Sequence, residues 1–366
     1  MSDIQGSFYA CVPAGGSGTR LWPLSRKEQP KFLHRLGSDE RSLMQLTMAR
    51  IEPLVDPART FVVCGAEHVA PIARQVPQLP EDNFLIEPTG RNSGPAIGLA
   101  AAVIERADPD AVMGSFPADH LISVGDAFRE SVRTAITVAR TGKLVTIGIT
   151  PTRAETGYGY IKAGAALGID NAVAVDSFKE KPEQTLAEQY IASGDYLWNA
   201  GMFVCRASDV MGQLRDRVPE LAAGLQLISE YWFDDNARAR DILSTTWSSL
   251  PSISFDHAVM EGAAAAGLVA TVPSDMGWSD IGDWDTIAEM GLVTGSRLAQ
   301  QNETLLIDSP GTFATSVSGR AVTVIGVPDL VVVETETAIL VVRRSLAQRV
   351  KEAVDMWAAR GRDDLL

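Results

Sequence analysis

The chain has 366 residues, of which 46% are hydrophobic and 21% are charged, and its formal net charge is −14. This length allows one large domain or a large domain with an appendage. The acidity argues against a nucleic-acid polymer or an anionic membrane as partner, although a local group of cations can still bind a small anionic substrate. Three cysteines without zinc or disulfide spacing, no signal-peptide pattern and no apolar run of membrane length predict a cytoplasmic protein.

The chain begins with an apolar run that leads directly into a glycine turn. Residues 8–12 are predicted to form a buried first strand. The turn AGGSGTR follows, and its glycines can adopt φ > 0 and let backbone N–H groups approach a phosphate or a nucleotide. Alternatively, the turn is merely tight. Four cations lie in or just after it: Arg20, Arg26, Lys27 and Lys31.

This turn differs from the common glycine-rich phosphate loops. A dinucleotide fingerprint needs a helix that starts on its third glycine, whereas Pro23 and Pro30 keep this chain in an ordered loop. The GK[ST] ending of a P-loop is also missing. Cys64 and Gly65 occupy the place where a dinucleotide-dependent dehydrogenase would carry an acidic residue. The pattern therefore argues against a dehydrogenase.

Up to about Ile149 the predicted strands alternate with predicted helices. The strands after the first are residues 60–64, 83–86, 111–116 and 143–149. The helices are residues 43–54, 67–75, 95–106 and 127–140. Strict alternation predicts a mostly parallel sheet with helices on both faces and ligands at the carboxyl ends of the strands.

Two loops follow strands in this half. The segment EPTGRNSGP, residues 87–95, precedes a helix, and an N-cap at Asn92 or Ser93 explains part of it. Asp119 comes directly after the fourth strand, at the edge where the glycine turn is expected. A single Asp in such a place is commonly a cap or turn residue.

Three later segments carry polar groups in apolar surroundings. TGYGYI, residues 156–161, can be a bulged strand. FKEKP, residues 178–182, can be a solvated strand end with a salt bridge. Asn199 lies within the apolar run YLWNAGMF, and its amide needs a hydrogen-bond partner from the backbone or from a ligand. In WSDIGDW, Asp283 fits the first turn of a helix.

The pattern of apolar residues and glycines changes from about residue 302. Short apolar runs punctuated by glycines, residues 304–307, 321–325, 330–334 and 338–343, predict a few coils of a β-helix closed by a helix over residues 345–360. The sequence thus predicts an α/β domain over residues 1–295 and a small module over residues 296–366.

GGSGTRLWPLS followed by PKF resembles the signature of the sugar-nucleotide pyrophosphorylases. FKEKP is similar to their sugar-phosphate motif, and the later segments narrow the resemblance to the mannose-1-phosphate guanylyltransferases, also called GDP-mannose pyrophosphorylases. About the whole chain resembles this family. The resemblance implies an α/β fold with a Rossmann-like, mostly parallel sheet in a GT-A-like nucleotidyltransferase domain, and a small C-terminal β-helix-like module.

The resemblance implies transfer of GMP from GTP to mannose 1-phosphate, forming GDP-mannose and pyrophosphate. The implied catalytic residues are Arg20, Lys31 and Lys181. The implied nucleotide-binding residues are Ala14, Gly15, Gly16, Gly18, Thr19, Pro88, Arg91 and Asn92. The implied sugar-phosphate-binding residues are Gly157, Gly159, Glu180, Lys181 and Asn199. Asp119 and Asp280 match the family's ligands of Mg²⁺, and the module implies a homodimer.

Two alternatives stay open beside this interpretation. Some homologues of the fold are inert regulatory subunits that sense nucleotide sugars, but Arg20, Lys31, Asp119 and Asp280, whose loss would favour that role, are all present. A pyrophosphorylase for another pair of nucleoside triphosphate and hexose 1-phosphate is the second alternative.

Overall fold

The structure, a computed structural model, describes residues 7–16, 18–37, 39–294 and 303–366. The chain divides into two compact units, each built from separate segments. The first unit contains residues 1–15, 48–118 and 122–278, and the second contains residues 16–47, 119–121 and 279–366. The predicted boundary between residues 295 and 296 lies outside the described residues, as does Ser17 of the glycine turn.

The predicted alternation of strands and helices is confirmed in the first part of the chain. Its strands are β1 Phe8–Ala14, β2 Thr60–Gly65, β3 Phe84–Glu87, β4 Val112–Ser115, β5 Leu121–Ile122 and β6 Leu144–Ile149. Its helices are α1 Leu43–Ile51, α2 Ala66–Gln75, α3 Ser93–Ala107 and α4 Gly125–Ala139. The short strand β5 was not predicted, and the bounds of the other elements differ from their predictions by at most a few residues, because local sequence defines element ends only loosely.

The following part contains longer helical stretches. Its strands are β7 Tyr160–Ala166, β8 Val173–Lys179, β9 Tyr196–Arg206, β10 Val269–Ser274 and β11 Trp278–Ser279. Its helices are α5 Gln184–Ser193, α6 Ala207–Arg217, α7 Pro219–Glu230, α8 Ala237–Ser249, α9 Glu261–Ala265 and α10 Trp284–Thr294. A π-helical turn, Asp256–Met260, directly precedes α9.

One sheet of nine strands runs through the first unit in the order β3-β2-β1-β4-β9-β6-β10-β8-β7. The four strands β3, β2, β1 and β4 are parallel, as is the pair β6 and β10. β9 runs antiparallel to both β4 and β6 and so joins the two parallel parts. The later strands β7 and β8 are antiparallel to their neighbours, a direction that the apolar pattern does not encode.

An extended apolar core covers one face of this sheet. Residues 94–104 of α3 are buried without interruption, and the core continues through residues of α6 and α7. Phe203 of β9 and Phe255 contribute rings whose centroids lie 4.8 Å apart. Such burial on one face fixes the strand register, so the polar residues at the strand ends have defined positions.

The end of the second unit forms short strands and a helix. The elements are β12 Thr304–Ile307, β13 Phe313–Ser316, β14 Val322–Ile325, β15 Leu330–Glu334, β16 Ile339–Arg343 and α11 Val350–Ala359. β12 pairs in parallel with β14, and β13 with β15, each time with partners 18 residues apart, as in a coil that returns above itself. The predicted β-helix-like module is thereby confirmed. The predicted closing helix starts as a tighter 3₁₀ turn, Arg344–Arg349.

A separate core holds the second unit together. The glycine turn continues into a loop, and residues 14–31 are together called the glycine loop. One apolar cluster buries Leu21 and Trp22 of this loop, Trp284 of α10, and Phe313 and Val331 of the module. The indole Nε1 of Trp284 donates to the backbone carbonyl of Trp22 at 2.8 Å. The glycine loop and the module therefore share one core. None of the helices in the described ranges has the length and apolar composition needed to cross a bilayer.

Candidate functional site

The glycine turn has the backbone conformation that its sequence predicts. Gly16 and Gly18 have φ values of 86° and 63°, in the left-handed region that glycine tolerates best. A Cβ on Gly18 would lie 2.7 Å from Cβ of Lys31, so any larger residue would displace that lysine. Ala14 ends β1, and Thr19 begins a 3₁₀ turn, Thr19–Leu21.

Lys31 is the centre of the polar group in the second unit. Its Nζ lies 2.7 Å from Oδ2 of Asp119 and donates to the backbone carbonyl of Asp280. The Lys31 side chain is only 7% exposed, whereas that of Asp119 is 33% exposed. The lysine that packs against Gly18 thus also contacts both of the predicted metal residues. The structure brings Gly18, Lys31, Asp119 and Asp280 together.

The protonation of Asp119 follows from this pairing. Burial alone would raise the pKa of Asp119, but the positive charge of Lys31, the neighbouring His120 and a hydrogen bond from Lys31 outweigh it. The pKa of Asp119 consequently lies below its usual range. An ionised carboxylate next to a buried ammonium group suits charge neutralisation at an anionic substrate.

Two other cations of the glycine loop, Arg20 and Arg26, contact the module of the same unit. Arg20 Nη1 donates to Oε1 of Gln348 at 2.7 Å, and Arg26 Nη2 donates to Oγ1 of Thr337 at 2.8 Å. Arg26 also donates to the backbone carbonyl of Leu365, which accepts a second bond from Nε1 of Trp22 at 2.7 Å. The loop is therefore held from the module side.

Asp280 and Asp283 differ in the role that the local backbone assigns to them. Asp283 was predicted in the first turn of a helix and instead caps α10 from the position before it, since its Oδ1 accepts from the backbone N–H of Thr286 at 2.9 Å. Asp280 precedes the helix, and its carboxylate lies over Gly282, where a Cβ would be 3.2 Å from Oδ2. Ile281 between them has a φ of 45°, a strained value for a β-branched residue.

The loop after β3 is anchored within the first unit. Asn92, one of the two predicted candidates, caps α3 with its side-chain oxygen and has a φ of 70°. The guanidinium of Arg91 donates to the backbone carbonyls of Leu250 and Ser248 at the end of α8. Nε1 of Trp247 donates to the carbonyl of Thr89, which is next to Pro88, at 2.8 Å. Arg91 thus positions this loop, and its predicted contact with a nucleotide stays a prediction.

Glu87 is a candidate residue that the sequence analysis did not single out. It ends β3 and is only 7% exposed, and its Oε1 has no hydrogen-bond partner among the described residues. Burial raises the pKa of Glu87 to about 7. A Cβ on Gly15 would lie 4.0 Å from its Oε2, so the carboxyl group faces the start of the glycine turn. In the sequence, the position of Glu87 at a strand end next to Pro88 is the signal that could have identified this candidate.

The predicted sugar-phosphate residues of the first unit form a second group. A Cβ on Gly159 would lie 2.7 Å from Oε2 of Glu180 and 3.3 Å from Cβ of Asn199. Lys181 Nζ lies 2.6 Å from Oε1 of Glu180, and its side chain is 61% exposed. Lys181 has a φ of 44°, a conformation that costs free energy outside glycine and often occurs at functional sites. Gly157 instead donates its N–H to Oε1 of Glu155 at 3.1 Å.

Aromatic side chains close in sequence to this second group pack against one another. The ring of Tyr158 packs edge-on against Trp198 and Trp278, with centroids 5.1 and 5.2 Å apart. Aromatic faces beside carboxylates and an amide are typical of sites that bind polar ring compounds. Asn199 is buried and makes side-chain contacts with Thr146 and with Asp256, neither of which the sequence identified.

Both parts of this chain match known protein families. Residues 9–295 match the family described as nucleotidyl transferase, and residues 302–356 match the MannoseP isomerase/GMP-like beta-helix domain. The mannose-1-phosphate guanylyltransferase of Escherichia coli (strain K12) is 38% identical over 98% of this chain and 75% of its own length. The xanthan biosynthesis protein XanB of Xanthomonas campestris pv. campestris (strain B100) is 41% identical over 100% of this chain and 75% of its own.

A solved structure is similar along almost the whole chain. It is described as the mannose-1-phosphate geranyltransferase of Thermus thermophilus, and it superposes with a TM-score of 0.82 at 30% sequence identity. The match covers 96% of this chain and 99% of that one. The likeness therefore includes both the sheet and the strands of the module.

Proposed function

We propose that this chain, which belongs to the nucleotidyl transferase family, transfers GMP from GTP to α-D-mannose 1-phosphate, forming GDP-mannose and pyrophosphate. The observation that carries this proposal is the contact of Lys31 with Asp119 and with the backbone of Asp280 beside a glycine turn. Relatives named mannose-1-phosphate guanylyltransferase support the choice of substrates.

The reaction forms one P–O bond and breaks another. An oxygen of the sugar 1-phosphate attacks the α-phosphorus of GTP, and the bond from that phosphorus to the departing pyrophosphate breaks. The attacking phosphate is already largely anionic near neutrality, since its second pKa is about 6. No general base is needed. The protein has to align the two phosphates and neutralise the charge that grows on the leaving group.

The residues of each unit have distinct roles in this proposal. In the second unit, Gly16 and Gly18 offer backbone donors to the triphosphate, and Lys31 and Arg20 neutralise its charge. In the first unit, Lys181 binds the phosphate of the sugar 1-phosphate, a contact that is present before and during the reaction.

Nucleotidyltransferases of this kind generally use a divalent metal, and we propose Mg²⁺ held by Asp119 and Asp280. The donor set fits this ion, because Mg²⁺ usually takes one or two carboxylates and completes its shell with water and substrate phosphates. No group of three or more candidate metal ligands occurs among the described residues. When bound, the ion would supply positive charge at the phosphates, beside the charge of Lys31.

Guanine is the base that Glu87 fits best. A carboxylate offers two adjacent acceptors, and guanine presents two adjacent donors, N1–H and the N2 amino group, on one edge. Oε1 of Glu87 is buried and lacks a partner among the described residues. Pro88, Arg91 and Asn92 belong to the same loop and would shape the base pocket.

The experiment that tests the function measures pyrophosphate release for four nucleoside triphosphates with mannose 1-phosphate and glucose 1-phosphate. GTP with mannose 1-phosphate is expected to give the highest kcat/KM. A preference for UTP or dTTP would overturn the guanylyl assignment and leave the reaction class intact. No release with any pair would favour a regulatory protein instead.

A homodimer formed through the module is the proposed assembly, and the cytoplasm, where nucleoside triphosphates and sugar phosphates occur, is the proposed location. Large apolar side chains on the module strands are exposed: Leu305 by 53%, Ile325 by 61%, Ile339 by 60% and Val341 by 60%. Covering such side chains favours association. Sedimentation should give a dimer that Ile339→Glu with Val341→Glu dissociates, and a monomeric wild type would overturn the proposal.

A further inference from the structure

Asp256 is a carboxylate of the first unit to which the proposed function gives no role. It begins the π-helical turn Asp256–Met260, and such turns often occur at functional sites. Its Oδ1 accepts a hydrogen bond from Nδ2 of Asn199 at 2.9 Å. Burial first, and then the negative charge of Glu180, raise the pKa of Asp256 above its usual range, while Lys181 opposes the shift. Asp256 therefore belongs to the group that contains the predicted sugar residues.

Three hydrogen bonds fix the orientation of the Asn199 amide. Its Oδ1 accepts from Oγ1 of Thr146 at 2.6 Å and from the backbone N–H of Gly201 at 3.1 Å, and its Nδ2 donates to Asp256. An amide oxygen has two lone pairs and an amide nitrogen has two hydrogens. The oxygen is thus saturated, whereas one N–H is not used by any hydrogen bond within the described residues. Asn199 presents a donor and no acceptor.

Carboxylate oxygens lie beside this single donor. Glu180 is packed against Gly159, and the backbone N–H of Asn199 donates to the carbonyl of Gly159 at 2.8 Å. The Glu180 side chain is only 7% exposed. Each sugar hydroxyl can both donate and accept one hydrogen bond. One fixed N–H donor with neighbouring carboxylate acceptors therefore complements adjacent hydroxyl groups on a sugar ring.

We propose that Asp256 is a positioning residue for the sugar 1-phosphate. It holds Asn199 with its N–H toward the substrate. Asn199 then donates a hydrogen bond to one sugar hydroxyl, and the oxygen of that hydroxyl accepts it. Thr146 holds the same amide from its oxygen side. This inference rests on the proposed function and deepens it, because it assigns a hydrogen-bond direction to one contact of the sugar. Asp256 itself takes no part in the bond changes at phosphorus.

The first test compares Asp256→Ala with Asp256→Asn in steady-state kinetics. Asp256→Ala removes the acceptor and should raise KM for mannose 1-phosphate roughly tenfold or more, with KM for GTP and kcat changed less than about twofold. Asp256→Asn should stay within about threefold of the wild type, because its amide oxygen can accept the same bond. Asp216→Ala, at an exposed position of α6, is the control. No change in Asp256→Ala, or an equal rise in both variants, would overturn the proposal.

A second pair of variants decides the matter if Asp256→Ala does not fold. Thr146 is fully buried, and Thr146→Val keeps its shape while it removes the donor to Asn199. We expect Thr146→Val to raise KM for mannose 1-phosphate selectively and Thr146→Ser to restore it. Thermal unfolding of each variant confirms that folded protein is compared. Equal KM values for Thr146→Val and Thr146→Ser would contradict the proposed orientation.

Substrate analogues test the direction of the hydrogen bond itself. Fluorine can accept a weak hydrogen bond but cannot donate one. At the hydroxyl that Asn199 contacts, the deoxyfluoro analogue of mannose 1-phosphate should therefore react better than the deoxy analogue, and Asn199→Ala should abolish the difference. Equal losses at every ring position would overturn the assignment. If the substrate screen selects another hexose 1-phosphate, the same series is made from that sugar, so the two proposals fail separately.

Discussion

Nζ of Lys31 lies 2.7 Å from a carboxylate oxygen of Asp119 and donates at the same time to the backbone carbonyl of Asp280. One buried ammonium group thus joins the segment after β4 to the segment before α10, both within the second unit. The contact holds the two proposed ligands of the metal in place and keeps a cation ready for phosphate. Variants of these residues should therefore affect turnover more than folding.

Lys31→Met should lower kcat. The ammonium group acts on charge that accumulates as pyrophosphate leaves, and a contact made only in the transition state affects kcat rather than KM. The expected loss is about 10²- to 10³-fold, the range for one donor to a developing anion. Lys351→Met, on the exposed side of α11, is the matched control. A higher KM for GTP with an unchanged kcat would contradict the assignment.

Asp280→Asn should weaken the response to Mg²⁺. Loss of one carboxylate ligand is expected to raise the Mg²⁺ concentration for half-maximal activity at least about tenfold, while the free energy of unfolding changes by less than about 0.5 kcal/mol. Titration of activity with Mg²⁺ and denaturation in urea measure the two effects. Asp355→Asn, an exposed acid of α11, should change neither. Normal turnover of Asp280→Asn at low Mg²⁺ would contradict the proposal that Asp280 is a metal ligand. Asp280 would then be only an acidic residue that precedes a helix.

Lys181→Ala should raise KM for mannose 1-phosphate. The lysine contacts a phosphate that is charged in the ground state as well as in the transition state, so its loss affects binding. A charge-assisted hydrogen bond worth about 1.5–3 kcal/mol gives an increase of roughly ten- to a hundredfold. Kinetics with each substrate varied in turn separate this effect from that of Lys31→Met. Arg240→Ala removes an exposed cation of the same unit and serves as the control. Equal increases in both KM values would mean that FKEKP is only a salt-bridged strand end.

Glu87→Gln should stabilise the protein more at high pH than at low pH. Burial raises the pKa of Glu87 from 4.5 to about 7, so the folded state disfavours the ionised carboxylate. This penalty is absent below about pH 4.5, increases up to about pH 7 and is constant above it. The gain of the variant over the wild type at pH 8 should exceed that at pH 5 by on the order of 2 kcal/mol. Urea denaturation at both values measures it, with the exposed Glu81→Gln as reference. The same gain at both values would show that Glu87 is not destabilised by burial.

Local patterns in the sequence account for the elements and for the caps. Asn92 or Ser93 was predicted to cap α3, and Asp283 was predicted in the first turn of α10, because both roles depend on residues within one turn. The glycine turn likewise needs only its own residues to adopt φ > 0. The alternating apolar runs then identify β1, β2, β3, β4 and β6 of the sheet.

Such local patterns do not predict the buried polar residues Thr146, Asp256 and Glu87. From the sequence, Thr146 is predicted only to lie in a strand. Its hydrogen bond to Asn199 forms because β6 and β9 are neighbours in the sheet, and apolar periodicity does not specify that strand order. Asp256 belongs to none of the motifs that the sequence pattern indicates. Glu87 reads as a loop residue, and its burial depends on packing around the end of β3. Assignment of Lys31, Asp119 and Asp280 to one site rested on resemblance, since they come from three separate segments.

The bonds from Trp22, Arg20 and Arg26 to residues 337–365 have a consequence for anyone who recombines such enzymes. A chimera cut near residue 295 would pair the glycine loop of one parent with the module of another and would replace every one of these partners at once. A crossover that carries residues 16–47 together with residues 279–366 keeps each parental pair intact. The segment that is inherited as a block is thus defined by contact in the fold and not by position along the chain.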